Sequence, residues 1–352
     1  MPKIKVGIVG VGDCCSSLVQ GVSSYKNGDF LGIKFDDFGG YKPSDIEFTA
    51  AFDIDSLKVG KDLSEAIFAK TNRYEKVTDI TPLEVIVQKG EVIDSIGEYL
   101  HDQIKIDEKP SVNVSEELKK SKTEIMINFL PTGSVQASKW YAEQGIKAGC
   151  AFINATTTEI ARSREWSQRF KEAKLPLAGD DIMDQIGATI IHKTLLEFLV
   201  RRGVKIDETY QLDIGGGTES LATLEKARGD IKREVKRRTI QESVPYEVPI
   251  AAGTTDYVDF MKNTRDSYFW ISGKYFNNTP VKIDITLRTV DAPNSTSILL
   301  DVIRGLKIAL DKKVYGTINT LCAYGFKRPP KSYSLIETDK MINEYKEGKR
   351  NR

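Results

Sequence analysis

A β-branched, apolar run, Ile4-Lys5-Val6-Gly7-Ile8-Val9, passes into Gly10-Val11-Gly12 and then into the helix-compatible Ser16-Ser17-Leu18-Val19-Gln20. Strand, glycine turn and helix in that order constrain the fold more than any other stretch of the chain. Further apolar runs at 48–52, 124–130, 151–154 and 175–179 alternate with helix-like segments at 135–148 and 162–173. Strands alternating with helices of this length require right-handed crossovers and a parallel sheet, so the expected class is α/β with a doubly wound Rossmann sheet.

From about residue 187 the texture changes. A long helix candidate runs through Val200, followed by a glycine turn at Gly215-Gly216-Gly217, a very basic stretch, and strand-like segments at 268–272 and 281–290. Helical periodicity returns at 294–310, and Lys327-Arg328-Pro329-Pro330 ends it, because proline cannot continue a helix. Residues 1–188 with 291–352 are therefore expected to form the Rossmann domain, and 189–290 an inserted α+β domain. A chain of 352 residues that is 40% hydrophobic can bury two such cores.

The charge balance, 51 basic against 50 acidic residues, leaves no global field to draw in nucleic acid or an anionic membrane. Cys14, Cys15, Cys150 and Cys322 have neither metal-ligand spacing nor the density of a secreted disulfide framework, which points to a reducing, cytoplasmic setting. The first strand begins too early for a signal peptide, and no apolar run reaches membrane-spanning length. The charged tail 347–352 reads as a frayed terminus.

Gly10 and Gly12 occupy the first two positions of the G-x-G-x-x-G/A fingerprint, with Cys15 as the small third residue where helix and strand approach. Backbone amides at the following helix start, about Asp13 and Cys14, are placed to meet a pyrophosphate. Asp53 closes the second strand, where a carboxylate accepts ribose hydroxyls and disfavours a 2′-phosphate, so NAD is expected over NADP. It lies farther from the glycines than usual, which makes 28–44 an excursion. Asp13 favours the helix dipole but repels pyrophosphate, and capping of the helix with its carboxylate turned away resolves the conflict.

His101 and His192 lack partners that mark a general base, and structural roles are expected for both. No nucleophile elbow, zinc spacing or P-loop occurs. Proton chemistry then falls to lysines and carboxylates. Lys232 and Lys236 share one face of a helix, where two ammonium groups depress each other's proton affinity and can bind an oxyanion or serve as a base. A solvated basic face is the competing reading. Asp180, Asp181 and Asp184 cluster after a strand, where doubly wound folds place their sites, with helix capping as the alternative.

In these residues the chain resembles the myo-inositol-1-phosphate synthase family, especially its short archaeal and actinobacterial forms, along nearly its whole length. The resemblance rests on Ile8-Val9-Gly10-Val11-Gly12, Ala50-Ala51-Phe52-Asp53, Val85-Ile86-Val87-Gln88, Leu130-Pro131, Gly179-Asp180-Asp181, Gly187-Ala188-Thr189-Ile190, Asp291-Ala292-Pro293-Asn294-Ser295 and Ala323-Tyr324. It implies an NAD-dependent isomerase that cyclises glucose 6-phosphate: oxidation at C5, enolisation at C6, aldol attack on the C1 aldehyde, and reduction of the ring ketone. By the same resemblance Lys232, Lys236, Lys327, Asp291 and Asp181 are the catalytic candidates. Gly10, Gly12, Asp13, Cys14, Cys15, Asp53, Pro131, Thr132, Ala155, Thr156, Asp180, Thr189, Asn294 and Ser295 would hold NAD, and Asp184, Gln185, Gly217 and Lys274 the sugar phosphate. A homotetramer built through the inserted domain is implied too, with no metal.

The chain departs from the family where substrate should bind. Met183 and Asp184 stand where Lys-Ser is usual, Gly217-Thr218-Glu219 replaces a Gly-Asn turn, and Trp270 replaces an expected basic residue, with Lys274 nearby. A carboxylate about 4 Å from a phosphate costs roughly 1 kcal/mol per charge pair in water and more in a closed site. Three readings stay open: the authentic synthase, a paralogue using related chemistry on another sugar or sugar phosphate, and a catalytically silent NAD-binding assembly protein.

Overall fold

A computed structural model describes residues 3–28 and 31–352. The first half alternates strands and helices: β1 (Ile4–Val9), α1 (Asp13–Ser24), β2 (Ile46–Asp53), α2 (Leu63–Ala66), β3 (Val87–Lys89), α3 (Val114–Lys120), β4 (Ile125–Asn128), α4 (Val135–Ala148), β5 (Ala151–Asn154), α5 (Arg164–Glu172) and β6 (Pro176–Gly179). The second half continues with α6 (Ala188–Arg201), β7 (Lys205–Gly215), α7 (Thr218–Ala222), α8 (Lys226–Gln241), β8 (Ile250–Tyr257), β9 (Thr264–Tyr275) and β10 (Thr279–Val290). It closes with α9 (Asp291–Asp311), β11 (Gly316–Thr317), α10 (Asn319–Gly325) and α11 (Leu335–Lys346).

Seven strands form one sheet in the order β11-β6-β5-β4-β1-β2-β3, and every pairing in it is parallel. Ile4, Val6, Ile8 and Val9 are buried because β1 lies between β4 and β2 with helices over both faces, which is why its sequence, half-buried Lys5 apart, is apolar rather than alternating. Truncating such a side chain to Ala costs about 2–5 kcal/mol. The chain runs from β1 through β2 to β3 on one side and from β4 through β6 on the other, so the crevice beyond the ends of β1 and β4 is a topological switch point.

Helix α9 packs along α1, joined by Ser17 Oγ and Thr296 Oγ1 at 2.8 Å. Its buried Arg304 donates to the carbonyls of Phe35 (2.9 Å) and Tyr41 (3.2 Å) and pairs with Asp301, so one guanidinium ties down the excursion before β2. Asp29 and Phe30 of that excursion lie outside the described residues.

The other four strands form a second sheet, β10-β9-β7-β8, in which β10–β9 and β9–β7 are antiparallel and β7–β8 parallel. Helix α8 lies against it. Expected strands at 268–272 and 281–290 become a hairpin of two 12-residue strands, the first longer at both ends and the second by two residues at its start, because the ladder continues past the apolar centre. Gly215 pairs with Arg265 at one end of the sheet and Lys205 with Lys274 at the other. Only the Gly215 end meets the switch point. No helix among the described residues is long and apolar enough to cross a membrane.

Candidate active site

One cleft runs from Gly10 and Asp53 to Lys232 and Lys327. At its first end Gly10 has φ +89°, and a Cβ there would stand 3.2 Å from the Phe129 carbonyl, so the turn after β1 requires glycine. A Cβ at Gly12 would meet nothing within 4 Å, which leaves the backbone at the start of α1 open to a ligand. Asp53 Oδ2 accepts the Val11 amide at 2.6 Å, and its Oδ1 accepts the amides of Ile54 (2.7 Å) and Asp55 (2.9 Å). The carboxylate thus shapes the glycine turn while lining the cleft beside Lys58.

Asp13 does not cap α1, whose N-cap is Gly12 without a side-chain bond. Its carboxylate instead accepts the amides of Arg73 and Tyr74, 2.5 and 2.8 Å away. Burial raises its proton affinity, and those amides pull it back towards the charged form. Cys14 Sγ lies 3.4 Å from Ser295 Oγ, and burial pushes the thiol up to about 12, so it is no nucleophile. Pro131, Thr132, Ala155 and Thr156 line the same cleft, whereas buried Cys15 packs into the core behind it.

Past β6, two neighbouring aspartates separate. Asp180 turns away from the cleft and accepts the amides of Ile160 (2.9 Å), Ala161 (2.9 Å) and Arg162 (3.1 Å) together with Asn154 Nδ2 (2.7 Å). Burial pushes its carboxyl up to about 6 against those donors. It holds the 160–162 turn and does not line the cleft, whereas the sequence reading expected it there as a cofactor ligand. Asp181, at φ +58°, points in: its Oδ1 lies 3.1 Å from Lys232 Nζ and 3.6 Å from Lys327 Nζ. Its Oδ2 is buried and accepts no hydrogen bond from the described residues. Burial opposes the charge on Asp181, but Lys232 and Lys327 outweigh it and hold the carboxyl below the usual carboxylate range. None of the three aspartates caps α6, which starts at Gly187 without a side-chain cap.

The two lysines of α8 do not depress one another equally. For Lys232 burial disfavours the ammonium, but Asp181 and Glu219, 3.1 and 3.4 Å away, more than offset it and raise its pKa. Lys236 lies one turn behind, outside the cleft lining, paired with buried Asp213, and burial lowers its pKa. Lys232 is therefore a fixed cation in the cleft, and Lys236 a buried support. Asp213 also accepts Ser267 Oγ (2.6 Å) and Gln211 Nε2 (2.9 Å), completing the polar layer between α8 and the sheet.

His192 extends that layer: its Nε2 meets Thr209 Oγ1 at 2.7 Å and its ring stacks on Phe269 at 5.3 Å. Burial pushes it down to about 4. The folded state thus refuses a proton that the unfolded chain accepts, so its stabilising contribution is present above about pH 6.5 and is lost as pH falls towards 4. The melting temperature of the wild type should accordingly fall more steeply between pH 7 and 4.5 than that of His192→Met; parallel curves would remove His192 as the cause. His101 is exposed and outside the cleft.

The cleft also holds a residue that the sequence reading missed. Arg265, at the start of β9, reaches in and donates to Asp291 Oδ2 at 2.7 Å. Burial raises the Asp291 pKa, Arg265 lowers it, and the adjacent charge of Asp184 raises it again. Lys274 stands nine positions along β9 at the far end of the sheet, half exposed and 3.5 Å from Asp207, and so does not reach the substrate region. Trp270 stacks on Tyr210 at 5.4 Å, so the basic residue of this strand that lines the cleft is Arg265. The β9–β7 register that sets this geometry was invisible without the partner strand.

Asp184 and Gly217 line the cleft, and Asp184 and Lys327 are also shared with a neighbouring cavity lined by Met183 and Gln185. Gln185 Nε2 donates to the Gly32 carbonyl at 2.9 Å, and Asn294 Oδ1 accepts the Ile186 amide at 2.7 Å, so both clamp the loop before α6. Thr189 is buried in the first turn of α6 and lines no part of the cleft. The reaction end thus combines Lys232, Lys327 and Arg265 with Asp181, Glu219, Asp184 and Asp291.

Residues 187–292, which include α8 and Arg265, match the model of the family described as myo-inositol-1-phosphate synthase. The inositol-3-phosphate synthase of Mycolicibacterium smegmatis is 39% identical over 340 residues, 94% of each chain. That of Corynebacterium glutamicum is 36% identical over 340 residues, 93% of each. Among solved structures, the crystal structure of Ari2 superposes with a TM-score of 0.81 at 27% identity, covering 98% of this chain and 99% of that one. The inositol-3-phosphate synthase of Caenorhabditis elegans superposes with a TM-score of 0.79 at 13% identity, over 98% of this chain and 86% of that one, and so shares the fold. Identity sustained along nearly the full length, with a glycine turn and two lysines converging on one cleft, establishes that the chain belongs to the myo-inositol-1-phosphate synthase family.

Proposed function

We propose that this chain is an NAD-dependent inositol-3-phosphate synthase, an isomerase that converts glucose 6-phosphate to a cyclic inositol phosphate. The observation that carries the reading is the convergence of Lys232 and Lys327 on Asp181 Oδ1, at 3.1 and 3.6 Å, in the cleft that begins at the glycine turn.

Gly12, Cys14, Asp53 and Thr132 would hold NAD, and the open space at Gly12 fits a pyrophosphate approaching the backbone. Asp53 beside the ribose favours NAD over a 2′-phosphorylated relative. When bound, the nicotinamide supplies reversible hydride acceptance. Lys232, kept protonated by Asp181 and Glu219, holds the oxygen on which negative charge develops during enolisation and aldol closure, a preorganised donor already fixed in place before the charge forms. Lys327, anchored by a 2.7 Å bond from Nζ to the Ile182 carbonyl, is the second donor. Asp181 Oδ2, buried and unpartnered, accepts a substrate hydroxyl and orients the chain for ring closure. Arg265 with Asp291 forms the opposite wall and orients the phosphate-bearing end.

The four cysteines carry no disulfide, which agrees with a cytoplasmic enzyme. A homotetramer would cover the outer face of the second sheet, where Leu212 and Ile214 are 39% and 37% exposed. Incubating the purified protein with NAD+ and glucose 6-phosphate should produce the phosphorus NMR resonance of an inositol phosphate. Its absence from a protein that binds NAD+ would overturn the substrate assignment and make Asp184 the mark of another sugar.

A further inference from the structure

Helix α8 carries Arg228, Lys232 and Lys236 on one stripe, four residues apart. Lys232 and Lys236 are accounted for above. Arg228 is not, although it is 5% exposed and uses all sides of its guanidinium. Its Nη1 donates to the Thr132 carbonyl, its Nη2 to the Ser95 carbonyl at 2.7 Å, and its Nε to Glu225 at 3.1 Å.

Two glycines on separate loops make room for it. Gly97 and Gly133 have φ of +90° and +96°, and a Cβ on either would lie 3.0 Å from Arg228 atoms. The first belongs to a strap, residues 91–104, that lines the cleft with Ile93, Ile96 and Leu100; Leu100 packs on Leu221 and Ala222 of α7. The second belongs to the turn after β4. In that turn Thr132 Oγ1 donates to Glu219 Oε1 at 2.5 Å, and the same oxygen lies 3.4 Å from Lys232 Nζ. Strap, turn and helix therefore share one buried fork, and the next cation along the helix is the one in the cleft.

We infer that Arg228 is a positioning residue that couples seating of the dinucleotide between strap and turn to the placement of Lys232. This rests on the NAD reading above. A planar fork with three fixed acceptors transmits displacement of either loop to α8, which a single-point ammonium does not.

The test compares wild type, Arg228→Lys and Arg228→Gln by hydrogen–deuterium exchange with and without NAD+, by calorimetric NAD+ affinity, and by kcat at saturating NAD+. In the wild type NAD+ should protect 91–104 and α8 together. In both variants α8 should lose that NAD+-dependent protection, NAD+ should bind about tenfold more weakly or worse, as expected for lost charged hydrogen bonds, and kcat at saturation should fall as well. Protection of α8 equal to wild type in the variants overturns the coupling. So does weaker NAD+ binding with kcat unchanged at saturation, which would make Arg228 a support of the strap alone. If Arg228→Gln fails to fold, Arg228→Lys decides by the same readouts. A wild type in which NAD+ protects nothing overturns the cofactor reading itself, whereas strap protection without α8 protection overturns only this inference.

Discussion

Lys232→Met should lower turnover by about 10²–10³-fold, the usual cost of removing one preorganised donor to a developing oxyanion, while NAD+ affinity stays near wild type. The reason is local. Lys232 is held as an ammonium by Asp181 and Glu219 against the pull of burial, so its charge costs no reorganisation when the enolate forms. Lys236→Met should behave differently. Lys236 faces Asp213 in the layer behind the cleft, and removing it leaves a carboxylate buried without its cation, a loss of about 3–5 kcal/mol in stability. Steady-state kinetics, calorimetry with NAD+ and thermal melts on the two variants separate the roles. Turnover of Lys232→Met within a few-fold of wild type would remove it from the mechanism.

Asp181→Asn should damage both stability and the pH profile. Two ammonium groups lose their shared anion, and breaking such a buried cluster costs about 3–5 kcal/mol. For Lys232 burial alone favours the neutral amine, so without Asp181 its pKa drops and the alkaline limb of kcat moves to lower pH. The acid side changes as well. The folded-state pKa of Asp181 lies below its unfolded value, so its stabilisation is present above the unfolded pKa and is lost as pH falls through the folded one. Asp181→Asn should lack that acid-side dependence. Melting temperatures across pH 3–8 and kcat across pH 6–10 read both effects; an alkaline limb unmoved in the variant would show that Lys232 does not owe its charge to Asp181.

The alternation of strands and helices was legible because the central parallel strands are largely buried on both faces and so read as mostly apolar runs, and the glycine turn because Gly10 alone fits φ +89° beside Phe129. The lysine pair was legible as a shared helix face, and the family resemblance singled it out. Its electrostatics were not. A spacing of four predicts two cations depressing each other, yet one faces Asp181 from the loop after β6 and Glu219 from α7 while the other faces Asp213 from β7. Asp180 and Asp181 are adjacent in sequence but serve opposite sides of the chain, a choice made by the backbone at φ +58° and not by residue type.

Taken alone, the sequence determined the doubly wound class, the glycine turn after the first strand, the basic helix and the side chains chemically able to act, since these follow from periodicity, glycine stereochemistry and side-chain type. Only the tertiary structure decided which of those residues meet. Arg265 rather than Lys274 reaches Asp291, because β9 pairs with β7 in a register that brings its first residues beside Gly215 and carries Lys274 to the far end. Lys232 rather than Lys236 enters the cleft, and Arg228 finds its acceptors on two loops about 100 and 130 residues away in sequence. Proton affinity in a buried site is set by charges a few ångströms away, and those neighbours come from elements that only packing brings together.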